Sequence, residues 1–157
     1  MHDLALREGI IHYACAMHGD GLTVANSGNI SARNAAGYLI TPSGIAYESL
    51  RPEDIVQMDL QGHKISGQYI PSSEWKIHND LYQVRNDVGA IVHAHSPSAT
   101  ALSILRKPVP AFHYMVALIG GSQIPCADYA TFGTQQLSDN IEKAMLGYKA
   151  CLMANHG

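Results

Sequence analysis

Charged residues and cysteine are scarce in this sequence, and there is no excess of basic residues. Only 15% of its 157 residues are charged, and the formal net charge of −3 provides no basic face for nucleic acid or for an anionic membrane surface. The three cysteines are far apart and odd in number, so neither a disulfide framework nor a cysteine-based zinc site is expected. We therefore expect reduced thiols in a cytoplasmic protein that binds neither nucleic acid nor membranes.

Long hydrophobic runs are also missing. The longest apolar stretch, residues 114–119, ends at a glycine pair and is far too short to span a bilayer. Near the N-terminus, Asp3, Arg7 and Glu8 stand where a signal peptide needs its apolar segment. Because 46% of the residues are hydrophobic, the composition is that of a globular protein, and the length fits a single core. We expect one soluble domain over residues 1–157.

Helical and strand patterns alternate along the chain without repeats or linkers. Apolar residues at helical spacing, turn residues and capping residues mark the element boundaries. In chain order they predict a helix ending at Gly19 and Gly21, hairpins over residues 29–41 and 55–66, a helix opened by a serine N-cap at residues 71–74, a strand over residues 88–95, helices capped by Ser96 and Thr134, and a strand over residues 150–155. This order predicts an α/β domain with helices covering a mixed or largely antiparallel sheet.

Histidine is the unusual residue, with nine copies. His93 and His95 are two apart on a predicted strand, so both imidazoles point to one face and can chelate one ion. Taken alone, this spacing is a weak signal, because paired surface histidines on strands are at least as common. His156 ends another apolar strand, and three converging imidazoles with open positions are the pattern of a catalytic zinc. From spacing alone, a strand-end histidine without a ligand role is an equal alternative for His156.

Three loops of small residues offer backbone N–H groups together with hydroxyl or amide donors: residues 27–29, 41–44 and 71–73. The third opens a predicted helix, where unpaired N–H groups and the helix dipole favour an anion. Each loop alone is an ordinary turn or cap, but the three together favour a phosphate site made of neutral donors. Glu74 follows the third loop. Without context it is a dipole-favoured first-turn carboxylate, whereas beside a phosphate and a metal it is placed for proton transfer next to a carbonyl.

A series of short motifs runs in order from near residue 20 to the last residue. They are S-G-N-I-S-A-R, T-P-S-G, P-S-S-E-W, H-A-H, H-Y-M, I-P-C-A-D-Y-A-T-F-G-T and N-H-G. Together these motifs resemble the class II aldolase/adducin family. The resemblance implies a three-layer α/β/α fold with a central mixed, largely antiparallel sheet, and a homotetramer for the full-length family member.

The resemblance also implies a set of site residues. A zinc ion (Zn2+) would be held by His93, His95 and His156. Glu74 would be a further zinc ligand while no substrate is bound, and the catalytic acid–base group once substrate arrives. Phosphate binding would fall to Gly28, Asn29, Ser43, Gly44, Ser72 and Ser73, with Ser27 as a weaker match. Tyr114 and Phe132 would lie near the aldehyde part of the substrate, although core packing is the default for an aromatic residue.

The implied reaction is the reversible cleavage of L-fuculose 1-phosphate, or a similar ketose 1-phosphate, to dihydroxyacetone phosphate and L-lactaldehyde or a similar aldehyde. This is a lyase step of fucose degradation, with zinc as the Lewis acid. The alternatives are a sugar-phosphate epimerase, a methylthioribulose-1-phosphate dehydratase, or a non-catalytic interaction domain like that of adducin. Family domains continue past N-H-G, so we expect a chain that lacks the family's C-terminal segment and has reduced or no activity.

Overall fold

The computed structural model describes residues 2–157 and divides into two units, one up to Ala94 and one from His95 to Gly157. Within the described residues, no helix is long and apolar enough to cross a membrane. All three cysteines are free over the same range. The expected single domain over residues 1–157 stays a prediction.

The first unit is organised around a five-stranded sheet in the order β4-β3-β2-β1-β5, and every neighbouring pair is antiparallel. Its elements are α1 (Leu4–Gly19), β1 (Asn29–Asn34), β2 (Gly37–Ile40), β3 (Val56–Met58), β4 (Lys64–Ser66), α2 (Trp75–Val84) and β5 (Ala90–His93), with two 3-10 turns at Tyr47–Ser49 and Pro52–Asp54. Both predicted hairpins are confirmed, since β1 pairs with β2 and β3 pairs with β4.

Alternation along the strands gives the sheet two buried faces. On one face, Ile30 and Leu39 pack with Ile10 and Ala14 of α1. On the other face, Tyr38 of β2 packs in a cluster with Tyr82 and Trp75 of α2 and with residues of β3. The first unit is therefore a helix–sheet–helix arrangement, which confirms the expected α/β/α layering and antiparallel sheet.

The predicted serine N-cap of α2 is wrong. Glu74 occupies the N-cap position, and no side chain caps this helix end. Ser72 instead donates its backbone N–H to the carbonyl of Thr41, at 3.1 Å, and its hydroxyl accepts from the N–H of Glu74, at 3.3 Å. Because the loop pairs with Thr41, just after β2, before it turns, the N-cap falls at Glu74, after both serines of the pattern.

The second unit contains α3 (Pro97–Ser103), β6 (Val109–Pro110), a 3-10 helix (Tyr114–Ile119), β7 (Gln123–Ile124), β8 (Cys126–Ala127), α4 (Gln135–Ala144) and β9 (Leu152–Met153). The predicted caps of α3 and α4 are confirmed: the Ser96 hydroxyl accepts from Ala99 N–H, and the Thr134 hydroxyl accepts from Leu137 N–H. β6 pairs with β7 in antiparallel, and β8 pairs with β9 in parallel.

Two predicted strands are shorter than the sequence indicates. The strand predicted over residues 88–95 forms only at Ala90–His93, because the chain leaves a turn at Val88 and enters the cap of α3 at Ser96. The strand predicted over residues 150–155 forms only at Leu152–Met153. It ends there because Asn155 has a left-handed backbone (φ 54°) and the N–H of His156 bonds back to the Met153 carbonyl.

Candidate active site

A carboxylate and an imidazole meet inside the first unit, at the end of the sheet where β1 begins. Glu74 Oε2 lies 3.0 Å from His93 Nε2, and it also accepts a hydrogen bond from Asn29 Nδ2 at 3.0 Å. All three side chains are buried, Glu74 to 5% exposure. A buried carboxylate needs such polar partners, because an unpaired charge away from water is costly.

Strand register explains how these residues meet. Asn29 of β1 is paired directly with His93 of β5, and the alternation of both strands points the two side chains to the α2 face of the sheet. Glu74 lies at the N-terminal end of α2, where its carboxylate contacts the side chains of Asn29 and His93. Three residues far apart in the sequence are thus brought together by one strand pair and one helix start.

A chain of buried polar side chains continues from Asn29 away from Glu74. Asn29 Oδ1 makes a short hydrogen bond with His78 Nε2, and His78 Nδ1 lies 2.6 Å from the Ser31 hydroxyl. That hydroxyl lies 2.8 Å from the Tyr82 hydroxyl. Burial, with a smaller effect of His93, lowers the pKa of His78 from 6.5 to about 3, so its imidazole is neutral at physiological pH.

The small-residue loops lie next to one another in this unit. Ser43 N–H donates to the Ile70 carbonyl and Ser72 N–H donates to the Thr41 carbonyl, both at 3.1 Å. Thr41 N–H in turn donates to the Ile30 carbonyl at 3.0 Å. The residues that these adjacent loops carry include the predicted phosphate ligands Gly28, Asn29, Ser43, Gly44, Ser72 and Ser73, and the weaker match Ser27. Their phosphate role stays a prediction.

The Tyr47 side chain hydrogen-bonds to the loop of residues 27–29. Its hydroxyl donates to the Gly28 carbonyl at 2.5 Å, and burial raises the pKa of Tyr47 to about 12. The group therefore remains a proton donor across the physiological range. This bond fixes the Gly28 carbonyl just before Asn29 enters β1.

The second unit brings together two further histidines. The rings of His95 and His156 lie edge to face, with centroids 4.9 Å apart and planes at 73°. The tight turn after β9 places His156 there, because Met153 N–H donates to the Gly157 carbonyl at 2.6 Å. Each of Glu74, His93, His95 and His156 offers one ligand atom, and this set of nitrogen and oxygen donors suits zinc and other divalent transition ions.

The two predicted aromatic residues of the second unit are both exposed, Tyr114 to 78% and Phe132 to 64%. Tyr114 begins the 3-10 helix and lines an open cavity of about 440 Å³ together with Phe112 and His113. Core packing, the default for an aromatic residue, therefore does not account for either side chain. Their contact with an aldehyde stays a prediction.

Sequence reasoning missed the polar chain behind Glu74. The motifs and spacings described above single out none of His78, Ser31 and Tyr82. A signal was present in the spacing: Glu74, His78 and Tyr82 are four apart on a helix, and Asn29 and Ser31 are two apart on a strand. Two polar stripes with matching periods indicate that the helix and the strand face each other through hydrogen bonds.

A protein-family model and several known proteins match this chain. A family model described as Class II Aldolase and Adducin N-terminal domain matches residues 8–157. The chain is similar to a 5-methylthioribulose-1-phosphate/5-deoxyribulose-1-phosphate aldolase of Rhodospirillum rubrum, with 50% identity over 154 residues that cover 98% of this chain and 69% of that protein. It is also similar to an L-fuculose phosphate aldolase of Escherichia coli O6:H1, with 49% identity over 137 residues that cover 87% of this chain and 63% of that protein.

Among solved structures, that of an L-fuculose 1-phosphate aldolase superposes with a TM-score of 0.95 at 42% sequence identity. The match covers 100% of this chain and 74% of the other chain. The chain thus spans between 63% and 69% of the length of the two curated relatives described above.

Proposed function

The chain belongs to the class II aldolase/adducin family, and on that premise we propose that it is a metal-dependent lyase that cleaves a ketose 1-phosphate. The products are dihydroxyacetone phosphate and a short aldehyde. The observation that carries this proposal is the buried Glu74 carboxylate, which contacts the His93 imidazole and is held by the Asn29 amide. A carboxylate so held is a suitable acid–base group for a proton on carbon.

Zinc is the proposed metal, with Glu74, His93, His95 and His156 as its ligands. The donor chemistry of the two residue pairs supports this choice, since imidazole nitrogens and carboxylate oxygens are both ligands that zinc takes in proteins. When bound, zinc supplies a Lewis acid that polarises the ketone carbonyl. The other functions in the site belong to the side chains and backbone groups of this chain.

Glu74 is the proposed group that moves the proton. In cleavage, the bond between C3 and C4 breaks and its electron pair stays with C3. The C4 hydroxyl gives its proton to solvent water as it becomes the aldehyde carbonyl, and C3 takes up a proton from the Glu74 carboxyl group, which then regains one from solvent. In synthesis the Glu74 carboxylate removes that proton again. The adjacent loops that carry Gly28, Asn29, Ser43, Gly44, Ser72 and Ser73 are proposed to bind the phosphate and orient the reacting carbons.

L-Fuculose 1-phosphate is the first proposed substrate, giving L-lactaldehyde as the second product. The similarity to an L-fuculose phosphate aldolase supports it. A second candidate is 5-deoxyribulose 1-phosphate, or its 5-methylthio analogue, because the relative that bears those names is 50% identical over 98% of this chain. All three share the phosphate, the ketone and the C3–C4 bond, so one product assay serves for all of them. Tyr114 and Phe132 are proposed to contact the part of the substrate that differs.

The test is release of dihydroxyacetone phosphate by the zinc-loaded protein, measured by coupling to its reduction by NADH. Each of the three ketose phosphates is offered in turn, and Glu74→Gln serves as the matched variant of nearly equal size. Release that is lost in the variant supports the proposal, and the best substrate identifies the aldehyde. If folded, zinc-loaded protein converts a substrate without releasing dihydroxyacetone phosphate, the chain is instead an epimerase or a dehydratase.

The alternative from another class is a non-catalytic interaction domain like that of adducin. Such a domain has no need of the Glu74 carboxylate, so Glu74→Gln would leave its properties unchanged. We also propose that the protein assembles as a homotetramer. Large exposed apolar side chains of the second unit, such as Phe112 and Leu146, are consistent with contacts to other chains. Light scattering after gel filtration measures that state directly.

A further inference from the structure

Two polar stripes interlock between β1 and α2. On β1 the stripe contains every second residue, and on α2 it contains every fourth residue beginning at the N-cap. The members in order are Asn29, Ser31 and Arg33 on the strand, and Glu74, His78 and Tyr82 on the helix. Four helical residues advance about 6 Å and two strand residues advance about 6.6 Å, so the two stripes stay in step. Each helix residue therefore meets the next strand residue in turn.

The hydrogen bonds between the two stripes form a ladder that ends at Glu74, and the hydrogen positions can be assigned from that end. The Glu74 carboxylate only accepts hydrogen bonds, so the Asn29 amide must turn its nitrogen to Oε2, at 3.0 Å. The amide oxygen of Asn29 then faces His78 Nε2, and that oxygen only accepts as well. His78 Nε2 must therefore carry a hydrogen. The assignment rests on the donor and acceptor inventory of the network.

The remaining rungs have only one consistent direction. His78 is fully buried and neutral, so Nδ1 carries no hydrogen and accepts from the Ser31 hydroxyl at 2.6 Å. The Ser31 oxygen in turn accepts from the Tyr82 hydroxyl at 2.8 Å. Four donors in series thus point toward the Glu74 carboxylate, and reversing any one of them sets two acceptors or two donors against each other.

The far end of the ladder is fixed by Arg33. Its guanidinium lies 4.6 Å from the centre of the Tyr82 ring, and its Nη2 donates to the Tyr82 carbonyl at 2.7 Å. The Tyr82 side chain is fully buried beneath it. The hydroxyl of Tyr82 is therefore held toward Ser31, and the direction of the chain does not depend on a mobile end.

We propose that His78 is a positioning residue of the active site: as the neutral tautomer with hydrogen on Nε2, it holds the Asn29 amide with its N–H toward Glu74 and so fixes the carboxylate. His78 does not touch the substrate or the metal in this account. The catalytic consequence rests on the function proposed above, whereas the tautomer and the amide orientation do not. A carboxylate that must exchange a proton with carbon gains from such fixed support, since small displacements of a catalytic group reduce the rate strongly.

The tautomer is tested by nitrogen-15 NMR of the imidazoles in the intact chain, with His78→Gln to assign the His78 signals. The expected spectrum has a protonated Nε2 and a bare Nδ1, unchanged from about pH 5 to about pH 8. Hydrogen on Nδ1, or a mixture of tautomers, overturns the proposal. This measurement needs no turnover, so it gives its answer even if the chain releases no dihydroxyacetone phosphate.

The effect on catalysis is tested by comparing two replacements of His78. In His78→Gln the side-chain amide can still donate to Asn29 and accept from Ser31, while in His78→Phe the ring is kept and both bonds are lost. For His78→Phe we expect kcat to fall about 10- to 100-fold with little change in KM, and for His78→Gln most of the kcat to return. Equal losses in folded, zinc-loaded samples of both variants would contradict a positioning role through hydrogen bonds. If His78→Phe does not fold, Ser31→Ala is tested instead, because it removes the hydroxyl that donates to His78 Nδ1. For this variant we expect His78 to show a mixture of tautomers and kcat to fall.

An inactive parent protein with the expected His78 tautomer would mean that the proposed function fails while the ladder assignment stands. An active parent with the other tautomer would mean the reverse. The two inferences are therefore separated by the same set of samples.

Discussion

Replacing Arg33 by methionine should destabilise the first unit substantially. Arg33 donates to three backbone carbonyls at the C-terminal end of α2 and beyond it: Tyr82 at 2.7 Å, Arg85 at 3.0 Å and Val88 at 3.0 Å. Carbonyls at this end of a helix lack partners within the helix, and a positive charge there also favours the helix dipole. A hydrogen bond to a charged group contributes roughly 1.5 to 3 kcal/mol. Because the three bonds share one partly exposed guanidinium and are not additive, we expect a total loss of about 2 to 4 kcal/mol.

The assay is urea unfolding followed by circular dichroism. With a slope of about 2 kcal/mol per molar, the midpoint of Arg33→Met should fall by about 1 to 2 M while the slope stays constant. Arg51→Met is the matched control, since that side chain is 63% exposed and pairs with Glu53 and Asp54 of its own turn. Its expected change is below about 1 kcal/mol. A shift for Arg33→Met no larger than that of the control would refute the reasoning.

Three further predictions concern other parts of the first unit. Gly9 lies inside α1, and a Cβ added there would meet nothing within 4 Å. Gly9→Ala should therefore stabilise the protein by about 0.5 to 1 kcal/mol in the same urea assay. A loss of stability would contradict this prediction. Gly28→Ala places the new Cβ 2.7 Å from the His93 carbonyl oxygen and should lower the free energy of unfolding by about 1 to 3 kcal/mol. Gly89→Ala is the control, because its Cβ would meet open space and the loss should be far smaller. Equal melting temperatures for the two variants would contradict this prediction. Burial lowers the pKa of His78 to about 3, so as the pH falls the unfolded chain takes up a proton at this residue before the folded chain does. The free energy of unfolding therefore has its full contribution from neutral His78 above pH 6.5. That contribution declines by ~1.4 kcal/mol per pH unit as the pH falls from 6.5 toward 3. His78→Gln should flatten that decline in chelator-treated samples, and an unchanged slope would show that His78 is not its source.

The sequence predicted best those elements whose local pattern agrees with the final structure. The hairpins around residues 34–37 and 59–63 and the caps Ser96 and Thr134 follow from turn and capping residues alone. The start of α2 could not be predicted in this way. Its serine signal is sound locally, but the loop pairs with Thr41, which is distant in sequence and supplies a partner that no local pattern contains.

The candidate site shows the same division between local and distant information. The spacing of His93 and His95 is visible in the sequence, and the motifs indicated Glu74 and His156 through a family resemblance. The register that sets Asn29 opposite His93 depends on pairing between β1 and β5. These two residues are 64 positions apart, and neither strand carries a local mark of the pairing. For the same reason the role of His78 was missed: a single histidine on a helix has no evident partner until the facing strand is known.

We propose that Glu74, His93, His95 and His156 bind one metal ion, and elemental analysis of the purified protein tests this most directly. The proposal predicts about one zinc ion per chain, lost in both His93→Ala and His156→Ala and kept in His12→Ala, which removes an exposed histidine of α1. Protein shown to be folded that contains no divalent metal, or that keeps its zinc in both ligand variants, would contradict the claim.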